Sequence, residues 1–215
     1  MSQRNTEDPR KTQIIEVLKR DYFPMILQLP QQWTAEQHEK NRLSRSLAAF
    51  AIANLADVTP AQAVNSVIDG YDDNGIDAVY FDRNLNLLWL VQSKIGNAPD
   101  MDDNLKFCRG IEDLIGRHFD NFNPAFSQLQ QDVDDALNTN GLKIIGCHVY
   151  MDGGIQSHVV RELNQLQTKL NIPYARFEWR DLRIDQNYAW LTARQAIRTV
   201  IAVPVHVRYT ESLDI

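Results

Sequence analysis

Asp69-Gly70-Tyr71-Asp72-Asp73-Asn74-Gly75-Ile76-Asp77-Ala78-Val79-Tyr80-Phe81-Asp82, then Arg83 to Asn86, then Leu87-Leu88-Trp89-Leu90-Val91-Gln92-Ser93-Lys94-Ile95, is the stretch that decides the fold. It reads as a loop dense in Asp and Gly, a strand, a tight turn and a second strand. Two β-rich, mostly apolar runs on either side of a short polar linker signal a hairpin. The polar side chains sit in unexpected places. Asp77 opens the first strand, and Gln92 and Lys94 follow five apolar residues in the second.

Register gives those positions a meaning. A turn centred on Asn84-Leu85 pairs Arg83 with Asn86 and Asp82 with Leu87, and counting back sets Asp77 opposite Gln92. Strand side chains alternate faces, so Gln92 and Lys94 share one face and Ser93 takes the other. Directly opposed residues lie roughly 5 Å apart at Cβ, and a diagonal neighbour stays within reach of a long side chain. A carboxylate, an amide and an ammonium are therefore expected to converge on one patch of sheet.

Outward from the hairpin the chain is mostly helical. Ile14, Ile15, Val17 and Leu18 make a stripe on a helix over residues 11–20, ended by Pro24 and Pro30. Thr34-Ala35-Glu36-Gln37 reads as a capping box, and Leu43, Leu47, Phe50, Ala51 and Leu55 recur beyond it at helical spacing. Thr59-Pro60 caps a short helix. After the hairpin, helices are predicted over 101–119 and from Asn123-Pro124 to Asn140-Gly141. Leu142 to Met151 is a near-continuous apolar run, as in a central strand covered on both faces. A turn at Asp152-Gly153-Gly154, a helix over 155–170 and a strand from Tyr174 to Trp179 follow. Residues 185–197 read as helical, and Arg198 to Tyr209 as a strand whose Pro204 favours a sheet edge. This order predicts an α/β fold with a mixed sheet flanked by helices. It divides into a helical N-terminal extension (1–40), a core (41–182) and a C-terminal helix and strand (183–215) that extends the core or begins a second domain.

Composition sets the bounds. The 215 residues are 44% hydrophobic and 23% charged, ordinary for one soluble domain. No apolar run reaches the roughly 18 residues a membrane span needs, and Met1 to Arg10 has no apolar signal core, so a cytoplasmic location is expected. Cys108 and Cys147 lack metal-site spacing and read as reduced core thiols. The five histidines share no metal spacing, and no Gly-rich phosphate loop or Ser-His-Asp signature is present. A net charge of −6 argues against a constitutive, tight nucleic-acid binder, though acids grouped at a metal site would lower the total.

The residues Gly75-Ile76-Asp77 followed by Gln92-Ser93-Lys94 resemble the PD-(D/E)XK nuclease superfamily, in the Q-x-K variant familiar from Mrr-like restriction endonucleases. The longer pattern Asp69-Gly70-x-x-Asp73-x-Gly75-Ile76-Asp77-Ala78 with Leu90-Val91-Gln92-Ser93-Lys94 is similar to the N-terminal part of abortive-infection phage-resistance (AIPR) proteins. The likeness covers residues 42–182. It implies a restriction-endonuclease-like sheet and a Mg²⁺- or Mn²⁺-dependent endonuclease acting on DNA in restriction or phage defence, with RNA as a further candidate substrate. A single site of this type cuts one strand, so double-strand cleavage would imply a homodimer.

Phosphodiester hydrolysis needs an activated water and neutralised phosphate charge, and a hard divalent cation held by oxygens serves both. The resemblance makes Asp77, Gln92 and Lys94 the catalytic set. Asp77, Gln92 and the Ser93 backbone carbonyl would be metal ligands, and Asp73 and Glu39 further candidates. Lys94 would orient the attacking water and stabilise phosphate charge. Asp69 and Asp72 read as ordinary loop acids. The family's usual helix glutamate aligns with Ala48, which leaves Glu39, upstream, as the acid with best reach. Each residue also has a plainer role open to it. Asp77 could serve turn amides, Gln92 a structural hydrogen bond, and Lys94 could guard a strand edge. A nuclease-like fold that no longer cuts and acts as a binding or assembly module is the competing expectation, favoured by the neutral Gln92.

Overall fold

The computed structural model describes residues 8–26 and 34–198, without the side chains of 195–198. The strand read from Arg198 to Tyr209 lies, past Arg198, outside the described residues. Seven α-helices and four strands are described: α1 (Pro9–Asp21), α2 (Ala35–Leu55), α3 (Pro60–Val64), β1 (Ala78–Asp82), β2 (Leu87–Asn97), α4 (Met101–Ile115), α5 (Gln130–Leu137), β3 (Lys143–Asp152), α6 (Ser157–Leu170), β4 (Phe177–Leu182) and α7 (Ile184–Arg198). The strands form one mixed sheet in the order β1-β2-β3-β4, with β1 antiparallel to β2 and the other pairs parallel.

Helix starts follow local chemistry. Thr34 accepts from the Gln37 N–H while the Gln37 side chain accepts from the Thr34 N–H, so the capping box opens α2 as expected. That start also places the boundary expected at 40/41 inside α2. Thr59 and Gln62 make the same box for α3, and Asp100 and Asp103 for α4. The hairpin has the expected register, from Asp82 opposite Leu87 to Ala78 opposite Val91. Its turn is held by Asp82, whose carboxylate accepts from the Asn84 and Leu85 N–H groups. The last strand starts later than expected. The Asn171 side chain accepts from Arg176 and Phe177 N–H and donates to the Phe177 carbonyl, which keeps residues 171–176 out of the sheet.

Alternation along the strands gives the sheet two apolar faces. On one, Ala78, Trp89, Val91, Ile145, Cys147 and Val149 pack with α1, α2 and α7. On the other, Val79, Leu88, Leu90 and Ile144 pack with α4, α5 and α6. The result is a three-layer α/β/α arrangement. Ala48, Ala49, Ala51 and Ala53 of α2 are fully buried, and their short side chains let the helix lie close on the sheet. Cys147 is buried and Cys108 half-buried, and both are free thiols. Among the described residues no helix is long and apolar enough to cross a membrane.

Candidate metal centre

The acidic loop is closed at its base by backbone hydrogen bonds. Val67 bridges to Ala78, and the Val79 N–H donates to the Ser66 carbonyl. The N–H groups of Ile68 and Asp69 both donate to the Asp77 carbonyl, at 2.8 and 3.0 Å. Asp69 and Asp77, at the two ends of the loop, are thereby drawn side by side. Between them the chain curls through left-handed backbone at Asp72, Asn74 and Gly75. Asp73 holds that curl, its two carboxylate oxygens accepting from the Gly70 N–H (3.1 Å) and the Gly75 N–H (2.8 Å). One carboxylate oxygen each from Asp69, Asp73 and Asp77 lies within 4.8 Å of the others.

Asp77 is buried, and its Oδ2 accepts from the Ser93 backbone N–H at 2.6 Å. The Ser93 hydroxyl sits 2.9 Å from the same oxygen and 3.1 Å from the Ser44 carbonyl of α2, with one proton to share between them. In an extended strand the N–H and carbonyl of one residue face the same side, so the Ser93 carbonyl also leaves β2 on the Asp77 side.

The electrostatics follow from burial first and crowding second. Burial holds the Asp77 carboxyl well above the usual range, the neighbouring Asp69 and Asp73 add to this, and the bonds from Ser93 offset part of it. Burial pushes Asp69 up to about 6 against the pull of Arg45, whose Nε lies 3.9 Å from Asp69 Oδ2. Asp73 is raised by burial too, opposed by the Gly70 and Gly75 amides and by Lys106. Arg45 and Lys106 offset only part of this crowding, and Asp69 Oδ2 is buried with no hydrogen-bond partner. The acidic group is not sealed off. Asp73 and Lys106 line an open cleft of about 880 Å³ between residues 70–75 and 120–124.

The expected convergence of Asp77, Gln92 and Lys94 is corrected by these contacts. Ala78 pairs with Val91, yet the Asp77 N–H also donates to the Val91 carbonyl, at 2.8 Å. The ladder is out of step by one residue at Asp77, and its carboxylate falls with Ser93 instead of Gln92. Gln92 and Lys94 continue the face of Leu88 and Leu90 toward α4. Gln92 Nε2 donates to the Asp103 carbonyl at 3.2 Å, and the Lys94 ammonium pairs with the Asp103 carboxylate. Glu39 is corrected as well: it is exposed on α2, pairs with Lys19, and is outside the acidic group. Ala48 is fully buried in the core, and what α2 brings to the acids is Ser44 and Arg45.

The structure thus joins Asp77, Asp73 and Ser93, and sets Gln92 and Lys94 apart with Asp103. Asp69 is the acid that reading the sequence undervalued. Its signal was there in the four-residue spacing Asp69, Asp73, Asp77, but only closure of the loop base makes that spacing a cluster. Set beside protein-family models, curated proteins and solved structures, the chain matches none.

Proposed function

We propose that this chain is a divalent-cation-dependent endonuclease domain that hydrolyses DNA phosphodiester bonds, acting within restriction or phage defence as the motif resemblance implies. The observation that carries the reading is the meeting of Asp69, Asp73 and Asp77 within 4.8 Å beside the Ser93 backbone. The donor set suits a hard cation. Three carboxylates and a carbonyl are oxygen ligands, Asp69 Oδ2 is buried without a hydrogen-bond partner, and burial favours the protonated form of all three acids. Mg²⁺ or Mn²⁺ would be held by Asp69, Asp73, Asp77 and the Ser93 carbonyl. When bound, such an ion supplies charge neutralisation at a phosphate and acidifies water.

The chain's own residues do the rest. Ser93 fixes the Asp77 carboxylate from two donors, so the acid needs no reorganisation when a ligand arrives. By the motif resemblance Lys94 would offer its ammonium to a phosphate; it follows Ser93 along β2 but takes the other face, where it pairs with Asp103. Lys106 adds positive charge beside Asp73. Together these give an otherwise acidic surface a local place for a phosphodiester.

Incubating supercoiled plasmid with Mg²⁺ or Mn²⁺ tests the reading. Nicking is expected from the wild type, with a loss of about 100-fold or more in Asp77→Asn and Lys94→Ala. Absence of nicking under either metal overturns the enzyme, and equal cutting by both variants overturns the site. Single-stranded DNA and RNA run in parallel decide the polymer. A second reading, a nucleic-acid-binding module that does not cut, is favoured by Arg45, which stands beside Asp69 where a further carboxylate would strengthen cation binding. Metal-dependent DNA binding without nicking would establish it.

A further inference from the structure

We infer that Asp103 is the positioning residue for both side chains of the Gln92-Ser93-Lys94 motif, an inference that rests on the nuclease reading. Asp103 acts on the two through different groups. Its backbone carbonyl accepts from Gln92 Nε2 at 3.2 Å. That bond selects one orientation of the amide, because the flipped form would set Oε1 against the carbonyl oxygen. With Nε2 engaged, Oε1 is left as the buried, unpartnered end of a side chain only 5% exposed. A buried amide oxygen without a donor is costly unless something it can accept from or ligate arrives. The Asp103 carboxylate, meanwhile, pairs with the Lys94 ammonium, at side-chain exposures of 25% and 35%. A lysine stem is otherwise free over several torsions, and this pair restricts where its charge can go.

Asp103 sits at the start of its helix. It is the third residue of α4, where its N–H donates to Asp100 Oδ1 at 2.9 Å and its Oδ2 accepts from the Asp100 N–H at 3.3 Å. The same helix is the seat of the acidic loop. A Cβ on Gly75 would stand 2.7 Å from the backbone of Lys106 and Phe107, and one on Gly110 would stand 2.2 Å from the Asn74 carbonyl oxygen. Helix α4 therefore holds the acids through its glycine contacts and the Q-x-K side chains through Asp103. The two halves of the site, separated by the slip at Asp77, are referred to each other through this helix.

The test compares Asp103→Asn, Asp103→Ala, Asp103→Glu and Asp100→Ala in Mn²⁺-dependent cleavage of a duplex oligonucleotide. For Asp103→Asn, kcat is expected to fall about 10–100-fold, the usual cost of a misplaced catalytic group, while KM stays within about threefold. Asp103→Ala is expected to fall at least as far, and Asp103→Glu to recover part of the loss. Asp100→Ala removes the side-chain acceptor of the Asp103 N–H but leaves the Asp103 carboxylate and its pair with Lys94 in place, so it should melt earlier yet keep kcat within about threefold. In ¹⁵N spectra the Lys94 ammonium signal is expected in the wild type and Asp100→Ala and lost in Asp103→Asn. If Asp103→Asn cuts as fast as wild type while Lys94→Ala does not, positioning by Asp103 is overturned and the nuclease reading stands. If Asp100→Ala loses kcat as Asp103→Asn does, the effect is helix capping and the inference is overturned. If the wild type itself does not cut, the nuclease reading falls and takes this inference with it.

Discussion

Asp77 sits where burial disfavours a charge, and that fixes how the molecule should answer to pH and cations. A carboxyl whose folded pKa is raised contributes stability that is fully present below its unfolded value near 3.8 and is lost as pH rises through the folded value. For Asp69 that window closes at about 6, and Asp77 is shifted in the same direction. With chelator at pH 7.5 Asp69 is ionised at a cost to the fold and burial opposes the ionisation of Asp77, and a divalent cation should return part of that cost. His148 acts with the opposite sign. It is buried, with its pKa lowered by burial to about 3, so its contribution is lost as pH falls from 6.5. Comparing Asp77→Asn with wild type at one pH removes the His148 contribution. Asn keeps an acceptor for the Ser93 N–H and drops the charge, so in EDTA at pH 7.5 the variant should melt about 3–8 °C higher. Its advantage should vanish by pH 4, and Mn²⁺ should stabilise it far less than wild type. A wild-type melting temperature indifferent to both pH and Mn²⁺ would refute the account. Glu39 marks the limit of reasoning residue by residue. Its reach along the sequence was adequate, but the pairing with Lys19 that takes it away depends on how α1 lies against α2.

The acidic loop and α4 behave as one unit, fastened by close backbone approach. Gly75 has φ of +76° and faces the α4 backbone, so any side chain there is strained and also collides. Gly110 is helical, and replacing it with Ala would ordinarily help a helix by about 1 kcal/mol. Here the added methyl meets the Asn74 carbonyl at 2.2 Å, so the sign should reverse. Gly110→Ala is expected to cost more than about 2 kcal/mol in urea unfolding and to weaken Mn²⁺ stabilisation, because the loop must lift to admit the methyl. A neutral or stabilising Gly110→Ala would mean the loop is not seated on this helix. The hairpin register was legible because turn chemistry and two-residue alternation both act locally, and Asp82 fixes the turn by accepting from the Asn84 and Leu85 N–H groups. The side taken by Asp77 was not legible. It turns on a one-residue slip at the end of β1, caused by residues 66–69 pairing back across 77–79, contacts that leave no period in the sequence. The Asp103 carbonyl was equally hidden, since a backbone acceptor has no residue type to betray it.

At the scale of the whole molecule α1 and α7 close one face of the sheet. Ile14, Val17 and Leu18 of α1 and Leu191 of α7 enter the same apolar cluster as the buried alanines of α2. Arg194 ties α7 to the end of α2. Its Nε donates to Asn54 Oδ1 at 2.7 Å, and its Nη2 donates to the Ala53 carbonyl at 2.5 Å and the Val58 carbonyl at 3.3 Å. The last turn of α2 contains no basic residue, so a guanidinium from α7 supplies the cation that the carbonyl end of a helix attracts. Arg194→Ala is expected to lose about 1.5–3 kcal/mol in urea unfolding, the range for hydrogen bonds from a charged donor. Arg194→Lys should recover only part, because one ammonium cannot copy a planar fork that reaches three acceptors. Neither change should alter stabilisation by Mn²⁺. Ser44 and Arg45, the residues of α2 nearest the acids, lie more than two turns from Ala53 along the helix, a separation of roughly 12 Å. Were Arg194→Ala to abolish the cation response while leaving the unfolding midpoint unchanged, the division of α2 into a site end and a clasp end would be wrong.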